Sequence, residues 1–204
     1  MTVRHWNRGT WQPAGWYGPV KRCIDIVGAV SLLALLWPAM LAIAITIRLE
    51  SPGPALFRQR RAGRGSSEFT IYKFRTMPVG TLDVASHLLQ PNERRVTRLG
   101  RVLRRTSLDE LPQLINILVG DMSMVGPRPA LFNQDDLIAM RRQAHVDLLR
   151  PGVTGLAQVH GRDELDLDEK VSYDRRYLEE CSIRTDVAVI VRTFAALVSS
   201  RGTN

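Results

Sequence analysis

The sequence predicts an α+β fold, mostly helical, in which an N-terminal membrane helix precedes a small domain built from a short β-hairpin and amphipathic helices. Three observations carry this reading. Twenty-two uncharged residues run without interruption from Ile26 to Ile47. Two short strand-like segments, 55–60 and 69–75, flank a Gly/Ser-rich turn. Apolar residues then recur at helical spacing in several downstream segments.

Length and charge frame the rest. The chain has 204 residues, a net charge of +8 and a pI near 10.3. Setting aside the anchor and everything before it leaves roughly 155, enough for an ordinary core. Of the 28 basic residues only Lys21, Lys73 and Lys170 are lysines. Arginine binds phosphate oxygens in a planar, bidentate way, so the bias suits phosphate partners as well as it suits a GC-rich genome. Cys23 and Cys181 form no disulfide framework, and the four scattered histidines argue against a zinc site.

Residues 1–18 form a Gly/Pro/Arg-rich extension carrying Trp6, Trp11, Trp16 and Tyr17, residue types that favour the headgroup layer of a bilayer. Residues 19–50 form the anchor. Twenty-two helical residues span roughly 33 Å, about one hydrocarbon thickness. The run exceeds a signal-peptide core of roughly 7–15 residues. It also has no polar stripe of the kind a soluble helix carries. Pro38 sits near its middle, where it removes a backbone hydrogen bond. Basic residues lie on both flanks: Lys21 and Arg22 before, Arg48, Arg58, Arg60, Arg61 and Arg64 after. A simple span gathers its Lys/Arg excess on one side. Two basic flanks fit a helix that enters, bends at Trp37-Pro38 and returns to the same face; a simple span stays open, because membrane helices tolerate proline.

The domain follows over 51–204. Ser51-Pro-Gly-Pro54 is a stop and turn. The strand pair comes next, then a polar stretch over 78–95. A basic amphipathic helix covers 96–106, with Arg98, Arg101, Arg104 and Arg105. Helices are expected over 111–118, 134–149, 168–181 and 186–199, and a Gly/Pro loop over 150–162. The last helix carries a single charge after Asp186 and suits an interface.

The most informative short segment is Ser107-Leu-Asp-Glu-Leu-Pro112. Read locally, Ser107 and Glu110 match a helix capping box. Pro112 conflicts with that, because it would then lie too deep in the helix. With the helix starting at Asp109 or Glu110, Pro112 falls in the first turn, where its missing N–H costs nothing. Either way two carboxylates stand at a helix N-terminus, where the dipole favours anions. An ionised carboxylate is a competent nucleophile toward phosphorus. Arg104, Arg105 and a divalent cation could neutralise an anionic substrate, and Glu110 suits Mg²⁺, which takes hard oxygen ligands. Lys73 and Arg75 share one strand face and could clamp a phosphate or simply coat a sheet. Gly126-Pro-Arg-Pro129 holds Arg128 between two prolines, either as a presented ligand or as part of a rigid turn. Arg150-Pro-Gly-Val-Thr-Gly-Leu-Ala-Gln158 is glycine-rich but lacks the Gly-Lys-Ser/Thr of a P-loop. Placed beside a membrane anchor, these residues point to phosphate chemistry joining a soluble donor to a lipid acceptor.

Several of these segments resemble one family in order along residues 20–195: the bacterial sugar transferases, small monotopic polyprenyl-phosphate phosphoglycosyl transferases. The matching residues are Lys21-Arg22-x-x-Asp25, the anchor with Pro38, Ser51–Pro54, Phe57-x-Gln59-x-Arg61-x-Gly63, Lys73–Met77, Ser107–Gln113, Met122–Pro129 and Arg150–Gln158. Asp174, Tyr177, Ser182, Asp186 and Thr193 fit its C-terminal pattern. The resemblance implies a re-entrant helix hairpin, with the catalytic domain on the cytoplasmic face of the bacterial inner membrane. It implies transfer of a sugar-1-phosphate from a UDP-sugar to undecaprenyl phosphate with release of UMP, serving polysaccharide or glycoconjugate synthesis. It assigns Asp109 as nucleophile through a covalent phosphosugar, Glu110 as Mg²⁺ ligand and Arg128 as phosphate or nucleotide contact. Lys73, Arg75, Arg104, Arg105 and Gln158 join the substrate-binding set. Direct displacement, with Asp109 as general base, remains the other route. Membrane lipids are expected partners, and a homodimer is left open. Nucleic acid is not expected, because no basic motif interleaved with aromatics is present, although the +8 charge would attract any polyanion.

Overall fold

The computed structural model of the chain describes residues 15–81, 96–161 and 164–198. The expectations for residues 1–14 and for 82–95 lie outside these. Helix α1 covers Tyr17–Glu50, 34 residues that continue through Pro38, and so begins two positions before the expected anchor. Residues on one stripe of α1 face the folded body. Ala29 and Leu33 pack with Ile71, Leu114, Ile117 and Met122; Met40, Ile43, Ala44 and Ile47 pack with Phe74 and Leu103. The positions recur every three to four residues, as one helix face requires. Most of its remaining surface is apolar and exposed, with Leu35, Trp37, Leu41 and Leu49 pointing outward. Only 6% of its most apolar 18-residue window is buried, at a mean hydropathy of 2.3. A soluble core helix would bury that surface. This helix is long and apolar enough to cross a membrane, and its bare apolar face is that of an interaction site.

Strands β1 (Leu56–Ala62) and β2 (Glu68–Phe74) form the expected antiparallel hairpin, with Gln59 opposite Ile71. Its turn is a single 3₁₀ turn at Arg64–Ser66, with Gly65 at φ 65°. Helix α2 (Arg98–Arg105) is capped by the Thr97 hydroxyl, which accepts from the Gly100 amide at 2.9 Å. Helix α3 (Gln113–Val119) docks on the hairpin through Asn116. Its side-chain amide donates to the Thr70 carbonyl at 2.7 Å, and its oxygen accepts from the Tyr72 amide at 3.1 Å.

Strand β3 (Ser123–Val125) then pairs in parallel with β4 (Gly152–Thr154). Between them α4 spans Asp135–Gln143, followed by a 3₁₀ turn at Val146–Leu148. The helix expected over 134–149 is thus interrupted, at His145, which takes a left-handed φ of 59°. The loop expected over 150–162 contains β4 and the short helix α5 (Leu156–His160). Helices α6 (Leu167–Glu180) and α7 (Ile183–Val198) close the domain. Asp166 and Glu169 form the capping box that starts α6.

Both ends of α1 are fastened to this one body. At its start, Tyr17 Oη and Lys21 Nζ each donate to Asp186 Oδ2 at 3.0 Å, while Tyr177 Oη donates to Asp186 Oδ1 at 2.6 Å. Asp25 accepts from the Met124 amide at 2.9 Å. Arg22 donates to the carbonyls of Ile117 and Leu118, at the C-terminal end of α3 where a cation meets the negative dipole. At the other end Ile47 is buried among Phe74 and Leu103.

Candidate active site at the carboxylate pair

Leu108–Glu110 form one 3₁₀ turn between α2 and α3, entered through Ser107 at φ 56°, ψ 16°. Ser107 makes no side-chain cap. The capping-box alternative is therefore not formed, and Glu110 is turned to other partners. Its Oε1 accepts from Lys73 Nζ at 2.7 Å and from Arg128 Nη2 at 2.9 Å. Lys73 reaches it from β2. Pro112 immediately precedes α3, outside it, so the expected helix start at Asp109 or Glu110 is not observed: the carboxylates lie in a separate turn ahead of the helix, not at its first residues.

The two carboxyls are driven apart electrostatically. For Glu110, burial pushes the carboxyl up, but the Arg128 guanidinium and the Lys73 ammonium outweigh it and hold the group well below the usual carboxylate range. For Asp109, burial and then the negative charge of Glu110 raise the carboxyl, against the pull of Lys73, Arg104 and Arg128, to about 6. Lys73 is itself pushed down, chiefly by burial. A Glu110 that favours its ionised form thus stands beside an Asp109 raised toward neutral pH. Opposed environments of this kind separate the roles of paired carboxylates.

The other expected site residues fall into three groups. Arg104 flanks the pair, with its Nε donating to the Thr76 hydroxyl at 2.9 Å. Gly100 allows that approach: a Cβ there would sit 2.3 Å from the Thr76 carbonyl. Arg105 is exposed on the rim of the same cleft. Arg75 is buried and spends Nη1 and Nη2 on the Pro52 and Ser51 carbonyls at 2.6 and 2.8 Å, fixing the turn after α1. Gln158 lines the cleft, but both of its polar side-chain atoms are buried without a protein partner. The cleft also reaches Gly28, Leu32 and Leu36 of α1.

Arg128 is placed by its main chain. Carbonyls of four successive residues each accept from a different group: Pro127 from the Gly152 amide (2.8 Å), Arg128 from Arg141 Nη1 (2.7 Å), Pro129 from Arg61 Nη1 (3.0 Å) and Ala130 from the Ala62 amide (2.9 Å). Arg61 is braced in turn by Gln59, whose oxygen accepts from Arg61 Nε at 2.8 Å and from Nη2. The segment is a rigid turn, and its half-exposed Arg128 side chain turns to Glu110. The glycine-rich loop touches it backbone to backbone: a Cβ at Gly152 would fall 2.1 Å from the Gly126 nitrogen, and one at Gly155 2.1 Å from the Gly126 oxygen. Sequence reasoning gave no role to Arg141. Its signal was there, since it lies four residues after buried Leu137, on the face where an apolar residue is expected.

A long apolar helix is thus fused to a small mixed domain that gathers two unlike carboxylates among three cations. Comparison with known proteins gives the family. The family model for the bacterial sugar transferases matches residues 16–200, and the chain belongs to that family. It is 39% identical over 203 residues to the UDP-N-acetylgalactosamine-undecaprenyl-phosphate N-acetylgalactosaminephosphotransferase of Aeromonas hydrophila, covering 95% of this chain and 47% of that protein. It is 44% identical over 189 residues to the UDP-glucose:undecaprenyl-phosphate glucose-1-phosphate transferase of Caulobacter vibrioides, covering 88% of this chain and 70% of the relative. An exopolysaccharide production protein of Rhizobium leguminosarum is 40% identical, with 85% and 92% covered. The chain thus spans about half of the first relative and most of the other two.

Proposed function

We propose that the protein transfers a sugar-1-phosphate from a UDP-sugar to undecaprenyl phosphate, releasing UMP. Asp109 is the nucleophile. One carboxylate oxygen attacks the sugar-bearing phosphorus; the bond from that phosphorus to the bridging oxygen breaks, and UMP departs with that oxygen and its electron pair. A phosphate oxygen of the lipid then attacks the same phosphorus and returns the carboxylate. Both steps displace an anion by an anion, so positive charge around the phosphorus is the chief requirement. Lys73, Arg104 and Arg128 supply it, and Glu110 orders two of them. The observation that carries this reading is the geometry of the pair: Glu110 held by Lys73 and Arg128 at 2.7 and 2.9 Å, with Asp109 adjacent in the same turn.

A divalent cation fits the donor set. Among the described residues no group of three or more His, Cys, Asp and Glu gathers. Mg²⁺ binds through one or two carboxylates with substrate phosphates and water, so Glu110 would hold it together with the diphosphate. When bound, it would neutralise phosphate charge.

The reaction places the site at the cytoplasmic face of the inner membrane, where nucleotide sugars and the lipid acceptor meet. We read α1 as re-entrant, supported by its basic flanks and by its attachment to one body at both ends. The relatives' names carry different sugars, so a panel of UDP-sugars scored by UMP release selects the donor. A second route keeps Asp109 as general base in a direct displacement, which its carboxyl near pH 6 would also suit. Incubation with a sugar-labelled donor and no lipid acceptor separates the two. The covalent route leaves label on the protein with one UMP per label, and Asp109→Asn abolishes both. Turnover without any trapped label favours direct displacement.

A further inference from the structure

We propose that Arg141 and Asp174 are positioning residues that set the place of the Arg128 guanidinium, acting through the Arg128 main chain. The inference rests on the transferase reading, since it concerns how Arg128 meets an anionic phosphate.

Arg141 lies on α4 and Asp174 on α6; they are 8% and 1% exposed. Arg141 Nε and Nη2 both donate to Asp174 Oδ2, at 3.0 and 2.6 Å, and Nη1 donates to the Arg128 carbonyl at 2.7 Å. One planar group therefore ties helix α6 to the loop between β3 and α4. Arg128 Nη2 then donates to Glu110 Oε1 at 2.9 Å, beside Lys73. A continuous line of hydrogen bonds runs from α6 to the carboxylate pair.

A buried ion pair is a weak device for stability, because desolvation cancels much of the attraction. What this pair supplies is direction. The fork of a guanidinium fixes both the acceptor on one side and the carbonyl on the other, which the single ammonium of a lysine cannot do. The neighbouring carbonyls of Pro127, Pro129 and Ala130 are held from β1 and β4, and Arg141 holds the carbonyl of Arg128 itself. Pro127 and Pro129 lack amide hydrogens, so the loop has few internal donors with which to hold itself. Loss of the strut would leave Arg128 charged and near the site but displaced, and misplacement by about 1 Å costs roughly 100-fold in rate.

The test is a double-mutant cycle on kcat/KM for UMP release by the full chain in lipid nanodiscs containing undecaprenyl phosphate. Arg141→Lys is measured with native Arg128 and again in an Arg128→Lys background. The expected result is a loss of about 30–100-fold in the first and less than about 3-fold in the second. A merely structural pair gives the same fold loss in both backgrounds, which overturns the proposal, as does no loss with native Arg128. Where Arg141→Lys fails to fold, Asp174→Asn, which keeps an acceptor for Arg141, is read in the same cycle by the same criteria. Absence of UMP release from the unaltered chain with every UDP-sugar overturns the transferase reading instead, before any variant is compared.

Discussion

At Asp109 function and stability pull in opposite directions. Its carboxyl is raised to about 6 in the folded protein, by burial first and by Glu110 second. In the unfolded chain it titrates near the ordinary value of about 3.9. A raised carboxyl contributes stability that is full below the unfolded value and is lost as pH rises through the folded value, because the folded state then holds an unwelcome charge. Asp109→Asn removes that charge. The variant should melt at a higher temperature than the native chain at pH 8, and the gap should close below about pH 4. The same variant should lose turnover by orders of magnitude, since an amide cannot attack phosphorus. Native turnover should fall as pH drops through about 6, where Asp109 protonates. A variant that keeps its turnover removes the nucleophile assignment; one that melts lower at pH 8 removes the account of its burial. Glu110 works with the reverse sign. Its lowered carboxyl stabilises the fold above the ordinary glutamate value and does so less as pH falls.

Among the elements, the interlocked loops carry the site's geometry. Gly152 lies so close to Gly126 that a methyl group would overlap backbone, not a movable side chain. Gly152→Ala should destabilise by about 3 kcal/mol and displace Arg128 with the loop. Gly15→Ala, with nothing within 4 Å of the added carbon, is the neutral control. Equal melting temperatures for the two variants would remove the interlock. How much of this was legible follows from how local each signal is. The hairpin was found at 55–60 and 69–75 and observed at Leu56–Ala62 and Glu68–Phe74, because alternation and a glycine turn suffice. The carboxylate pair and Arg128 stood out through prolines and charge. The β3–β4 pair was missed: it is three residues a side and parallel, so its partner lies far along the chain. Helix α5 was hidden in a loop because five residues show no period. Arg75 shared a strand face with Lys73, but the pattern could not tell that its nitrogens would turn to Ser51 and Pro52.

For the whole molecule the question is which path α1 takes if the proposed lipid acceptor is to reach the domain. At 1.5 Å per residue α1 measures roughly 50 Å along its axis, more than a hydrocarbon layer. Yet Tyr17, Lys21 and Asp25 bind α7 and β3, while Ile47 packs against β2 and α2. A body bound to both ends cannot lie on both faces of an unbroken bilayer. Spanning would strip away one set of contacts and expose Asp186 or Phe74. The outward side chains of α1, Leu35 and Trp37 among them, need an apolar surrounding. The re-entrant path proposed above would keep both sets of contacts, and apolar Leu32 and Leu36 line the cleft that Asp109 also lines. Single cysteines in place of Trp16 and of Glu50, in a chain whose Cys23 and Cys181 are replaced by serine, test this. An impermeant maleimide should label both from the cytoplasmic side of inverted vesicles and neither from the periplasmic side of spheroplasts. Labelling of the two positions from opposite sides would mean that α1 crosses, and that the domain contacts at one of its ends do not exist in the membrane.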